Sequence, residues 1–135
     1  RIRNGSITPS NLFQFAVHLR YGCSGTIIST RHVLTAAHCF DDKKVLKTEH
    51  DTYREYSEHS FNVELRSKVD NKTEWLKSTK AFVPKTWPQW SSSDIAIIEF
   101  PEETFVEIEP VKLAKDYYEN EGDEAYIAGF GAWSE

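Results

Sequence analysis

Short runs of two-residue hydrophobic alternation, each closed by a turn signal, constrain this chain more than any other feature. Phe13, Phe15, Val17 and Leu19 alternate with Gln14, Ala16 and His18, giving a strand with one apolar face. Tyr21-Gly22 ends that run. Thr26-Ile27-Ile28 and Val33-Leu34-Thr35 follow as two β-branched-rich segments, split by the polar turn Ser29-Thr30-Arg31. Phe61, Val63 and Leu65 alternate again, and Trp75, Leu76, Ala81, Phe82 and Val83 mark a strand region that stops at Pro84. Ile95 to Phe100 is a mostly apolar run closed by Pro101, the pattern of a buried strand. No stretch sustains a 3.6-residue apolar period over a helix length. Six short strands with turns between them predict an all-β chain, a small antiparallel barrel or sandwich. Residues 41–58 are charged and poorly periodic, so a surface excursion or a short helical turn is expected there.

The length of 135 residues suits one domain. A hydrophobic fraction of 39% with 27% charged residues is that of an ordinary soluble chain. No segment approaches the roughly 18 consecutive apolar residues that span a bilayer, so no membrane partner is expected. The net charge is −5, and the acids gather in residues 99–109 and 116–124, which reads as a solvated, self-repelling connector. No basic stripe with interleaved aromatics occurs, which argues against nucleic-acid binding. His38 beside Cys39 could pair on a metal, but no second cluster with zinc spacing follows, and neither metal nor cofactor is expected. His18, His32, His50 and His59 sit in polar or strand-edge contexts and read as surface residues. Trp75, Trp87 and Trp90 read as packing, and Ser91-Ser92-Ser93 as a flexible loop. The chain has no methionine and starts at Arg1, so residue 1 is not expected to be a translation start. The cysteines Cys23 and Cys39, with the glycosylation sequons at Asn4 and Asn71, lean toward an extracellular protein.

Five segments in order carry a resemblance. Arg1-Ile2-Arg3-Asn4-Gly5 opens the chain, and Cys23-Ser24-Gly25-Thr26-Ile27-Ile28-Ser29 precedes Thr35-Ala36-Ala37-His38-Cys39. Asp94-Ile95-Ala96-Ile97 and Gly129-Phe130-Gly131 follow. Together they resemble the chymotrypsin-like (trypsin-family) serine proteases across nearly the whole chain. The resemblance implies the first six-stranded antiparallel barrel of a two-barrel fold. It divides the chain into a barrel at 1–100, an acidic connector at 101–122 and, at 123–135, the first strand of an incomplete second barrel. It also implies cleavage after Arg1 to free the Ile2 amine, and a disulfide between Cys23 and Cys39. That bond would close a loop worth roughly 3 kcal/mol in the chain-entropy account.

The implied chemistry explains these residue types. A serine hydroxyl is a poor nucleophile and needs a neutral imidazole to take its proton. The resemblance makes His38 that general base and Asp94 the acid that orients it. No Gly-Asp-Ser-Gly segment occurs before Glu135, so the chain by itself is expected to be inactive and to be the N-terminal part of a complete serine endopeptidase. Protein or peptide substrates and protease inhibitors are the implied partners. Arg3, in place of a small apolar residue, and the missing serine segment favour a second reading, a non-catalytic homologue that works as a binding or regulatory module.

Overall fold

The structure is a computed structural model that describes residues 2, 4–19, 22–40, 46–57, 62–65 and 75–130. Arg1, His59 and Asn71 lie outside the described residues, and so does the side chain of Trp75. Nine strands occur among the described residues: β1 (Ala16–Leu19), β2 (Cys23–Ile27), β3 (His32–Thr35), β4 (Leu46–Glu49), β5 (Tyr53–Ser57), β6 (Asn62–Glu64), β7 (Trp75–Lys77), β8 (Lys80–Pro84) and β9 (Ala96–Glu99). They join in one antiparallel sheet with the order β4-β5-β8-β9-β3-β2-β1-β6-β7. The all-β expectation is borne out. Among the described residues no helix is long and apolar enough to cross a membrane.

Alternation decides which face each strand buries. In β9, Ala96 and Ile98 are buried while Ile97 and Glu99 are half-buried. In β1, Val17 and Leu19 point inward and His18 between them does not. The register sets Val33 opposite both Ile27 and Ile98, so three of the least exposed side chains stack across three neighbouring strands. The core continues through Ala81 and Val83 of β8, Val63 of β6, and Phe100 and Phe105 beyond β9.

Gly25 sits where this core admits no side chain. A Cβ on it would stand 2.6 Å from Val33 Cγ1, 2.8 Å from Leu19 Cδ1 and 3.2 Å from Val17 Cγ2. Leu19 can swing aside, but β-branched Val33 is stiff about χ1 and lies inside the sheet. We expect Gly25→Ala to cost about 1–3 kcal/mol, the usual range for overpacking. Chemical denaturation measures it, and an unchanged midpoint would show that Val33 yields.

Five expectations differ from the observed fold. Residues 46–57 form the β4–β5 hairpin instead of an excursion or a helical turn. Its only buried apolar residue is Tyr56, so apolar periodicity could not announce it. Charge across the strands stabilises it instead. The Glu55 carboxylate is only 12% exposed and lies 3.2 Å from His50 Nε2, 3.5 Å from Lys80 Nζ and 3.6 Å from Lys47 Nζ. The His50 hydrogen bond, against the cost of burial and with help from both lysines, holds Glu55 below the ordinary carboxylate range.

The strand expected from Phe13 begins at Ala16, because the Ala16 N–H turns back to the Phe13 carbonyl. The run expected from Trp75 to Val83 is two strands, broken at Ser78 and Thr79. Residues 125–130, expected to open a strand, make no ladder pairing among the described residues. A strand forms only where its backbone groups meet a partner. Among the described residues the Phe130 N–H donates to the Ser24 hydroxyl, at 3.3 Å.

The acidic stretch after Pro101 is not wholly solvated either. Phe105 is 1% exposed and packs edge-on against Phe100, with ring centres 5.1 Å apart. The Val111 N–H donates to the Ile27 carbonyl at 3.0 Å.

Candidate active site

The antiparallel β3–β9 pair brings His38 and Asp94 together. Thr35 ends β3 opposite Ala96, which begins β9. The chain therefore leaves the sheet toward His38 at the same edge where it arrives from Asp94. His38 lies in a 3₁₀ turn, Ala37–Phe40, whose Ala37 and Phe40 are buried. The small Ala37 side chain fits beneath the turn with no exposed surface. Asp94 follows a second 3₁₀ turn, Ser91–Ser93. The Ser91–Ser93 segment, expected to be flexible, is tied down: the Ser93 and Thr86 hydroxyls lie 2.5 Å apart, and the Ser93 N–H donates to the Trp90 carbonyl. Trp87 packs against the core as expected, whereas Trp90 is 64% exposed.

Asp94 holds His38 at two points. Its Oδ1 accepts the His38 backbone N–H at 2.8 Å, and its Oδ2 lies 2.7 Å from His38 Nδ1. Burial opposes ionisation of Asp94, but the hydrogen bonds from the His38 ring and backbone, the His38 charge and the Ala37 backbone outweigh it. The carboxyl is held below its ordinary value and is ionised at neutral pH. An ionised carboxylate only accepts, so the proton on Nδ1 belongs to the imidazole. That fixes the tautomer and leaves the Nε2 lone pair available. The His38 side chain is 59% exposed against 29% for Asp94, so the ring is open to solvent on one side and anchored on the other. Among the described residues no serine hydroxyl hydrogen-bonds to Nε2.

Cys23 and Cys39 form a disulfide with their Cα atoms 6.2 Å apart, and it anchors the turn that carries His38 to β2. Ligand atoms of Cys23, His38 and Cys39 lie within 4.8 Å of one another. Both sulfurs are spent in the disulfide, so as a metal site the cluster offers one imidazole nitrogen and no thiolate.

The other histidines correct the surface reading. His18 Nδ1 lies 3.0 Å from Glu64, His32 Nε2 lies 3.3 Å from Glu99, and His50 Nε2 lies 3.2 Å from Glu55. All three are half-buried; His18 and His32 pair with carboxylates on neighbouring strands, and His50, in the β4–β5 turn, pairs with Glu55 of β5. Spacing along the chain could not show this, since His18 and Glu64 are 46 residues apart. Ile2 lies on a groove of about 870 Å³ between the N-terminal segment and residues 126–130. Asn4 is exposed.

An antiparallel sheet that presents a carboxylate-anchored imidazole beside a disulfide fits a trypsin-like fold. Comparison with known proteins agrees. The Trypsin family model matches residues 2–135, and the chain belongs to that family. Serine protease 23 from Homo sapiens is 31% identical over 94 residues, 63% of this chain and 24% of its own length. Inactive serine protease 35 from Mus musculus is 62% identical over 32 residues, 24% of this chain and 8% of its own length. The chain therefore spans about a quarter or less of the length of these relatives. Neuropsin, a serine protease of mouse brain, superposes with a TM-score of 0.54 at 20% identity, covering 84% of this chain and 48% of its own, which speaks for the shared fold.

Proposed function

We propose that this chain supplies the base and orienting acid of a secreted serine endopeptidase. His38 is the general base, Asp94 holds its tautomer, and a Gly-Asp-Ser-Gly segment of the complete protein supplies the nucleophile. The observation that supports this most is the two-point His38–Asp94 contact at 2.8 and 2.7 Å. A chain with no proton to transfer has no chemical reason to keep an ionised carboxylate on the inner nitrogen of an exposed imidazole. In the reaction, Nε2 takes the serine proton during attack on the peptide carbonyl and returns it to the leaving amine, while Asp94 stabilises the imidazolium.

Residues 1–100 make up the first barrel in this reading, 101–122 the connector and 123–135 the first strand of an incomplete second barrel. Cleavage after Arg1 frees the Ile2 amine and activates the enzyme. The 135-residue chain alone has no peptidase activity. Substrates are proteins or peptides, protease inhibitors bind the completed site, and Asn4 and Asn71 carry glycans.

A second reading, a non-catalytic homologue that acts as a binding module, draws on the 62% identity with a segment of inactive serine protease 35. A fluorophosphonate probe decides between them. It phosphonylates the active-site serine of the full-length, activated native protein, with loss of fluoride, if the first reading holds. Intact protein that the probe leaves unlabelled moves the assignment to the binding module.

A further inference from the structure

We propose that Tyr118 is a sulfation site, its phenol oxygen accepting a sulfuryl group from a nucleotide phosphosulfate. Tyr118 lies in a stretch outside the sheet, where residues 112–129 are exposed throughout. Its side chain is 81% exposed, which leaves room for a transferase to close over the ring. Tyr117 beside it is less suited. Its hydroxyl donates to Asp123 Oδ2 at 3.1 Å, and the same carboxylate oxygen accepts the Asn120 N–H at 2.9 Å, so this ring is held down against the turn that contains Gly122.

The surroundings fit the donor chemistry. A transferase that binds a nucleotide phosphosulfate must line its cleft with cations. An extended acceptor carrying negative charge is complementary to such a cleft. Asp116, Glu119, Glu121 and Asp123 all lie within five residues of Tyr118, against the single cation Lys115. The Cys23–Cys39 disulfide fits folding in an oxidising lumen. That route exposes Tyr118 to sulfuryl transfer and keeps it from the nucleoside triphosphate that a cytosolic kinase uses.

The step balances without any redox change. The phenol oxygen attacks sulfur, the new oxygen–sulfur bond forms, and the bond from sulfur to the bridging phosphate oxygen breaks. The nucleoside bisphosphate leaves with that electron pair, and the phenolic proton passes to a base of the transferase. The product adds a fixed negative charge to an already acidic segment.

The inference rests on the extracellular reading of the proposed function, and the test separates the two. Full-length protein is secreted from cells fed radiolabelled sulfate, its glycans are removed enzymatically, and the peptide containing Tyr118 is isolated. Label is expected on wild type and on Tyr117→Phe, and is lost in Tyr118→Phe. Secreted, glycosylated protein without label on this peptide overturns the proposal, as does label that survives Tyr118→Phe or a modification removed by a phosphatase. If the protein is not secreted, the extracellular reading fails. Purified full-length protein incubated with a tyrosyl sulfotransferase and its phosphosulfate donor then decides the acceptor, and no transfer to Tyr118 overturns the inference on its own.

Discussion

On the proposed function, replacing His38 by Ala in the full-length, activated protein is expected to lower kcat by a factor on the order of 10⁴–10⁶, with little change in KM. The loss is large because one nitrogen serves two steps. In the proposed mechanism Nε2 removes the serine proton during attack and delivers it to the leaving amine, and water cannot stand in for a base held at hydrogen-bond distance. Asp94→Asn tests the same geometry more finely. Asn has the shape of Asp, so its Oδ1 still accepts the His38 backbone N–H now held at 2.8 Å. Its amide nitrogen, however, faces His38 Nδ1 where a carboxylate oxygen stood 2.7 Å away. An amide N–H donates, so the ring must accept on Nδ1 and carry its proton on Nε2, the wrong tautomer for a base. A loss of about 10⁴-fold is expected, the size found when this triad carboxylate is amidated in the family's type case. Steady-state kinetics on folded variants, checked by circular dichroism, gives the answer. Wild-type turnover in His38→Ala would remove His38 from the chemistry.

The sequence revealed the buried strands and the site because both rest on local signals. β9 lies in a mostly apolar run between Asp94 and Pro101, and β3 leads straight into Thr-Ala-Ala-His-Cys, so apolar run and motif coincide. Antiparallel pairing of those two strands then brings His38 to Asp94, a consequence of topology that no spacing rule states. The β4–β5 hairpin was hidden because its stability comes from Glu55, Lys47, His50 and Lys80 meeting across strands, and residues that pair across a sheet leave no period along the chain. The histidine pairs were hidden for the same reason. The strand expected at residues 125–130 failed in the opposite way. Ala125-Tyr126-Ile127-Ala128 has strand composition, but composition supplies no partner for its backbone groups.

Phe100→Ala is expected to destabilise the folded chain by about 3–5 kcal/mol, the usual cost of deleting a buried aromatic ring. Phe100 is fully buried, and its ring meets Phe105 at 68° with centres 5.1 Å apart, so truncation removes an aromatic pair as well as buried area. Its backbone closes the end of β9 on the turn before β3. The Phe100 N–H donates to the Arg31 carbonyl at 2.8 Å, and Arg31 Nε donates to the Phe100 carbonyl at 3.0 Å. A backbone held from both sides cannot collapse into the space the ring leaves, which places the cost toward the upper end of the range. Urea denaturation of wild type and variant measures the difference, and a loss under about 1 kcal/mol would deny the ring its place in the core. The expected loss is a large share of the 5–15 kcal/mol typical of a folded domain, so part of the variant is unfolded at working temperature. Per folded molecule its kcat should stay near wild type, because Phe100 follows β9 at the end opposite Asp94. His38→Ala should behave in the reverse way, folded and inactive. That opposition separates the scaffold from the chemistry.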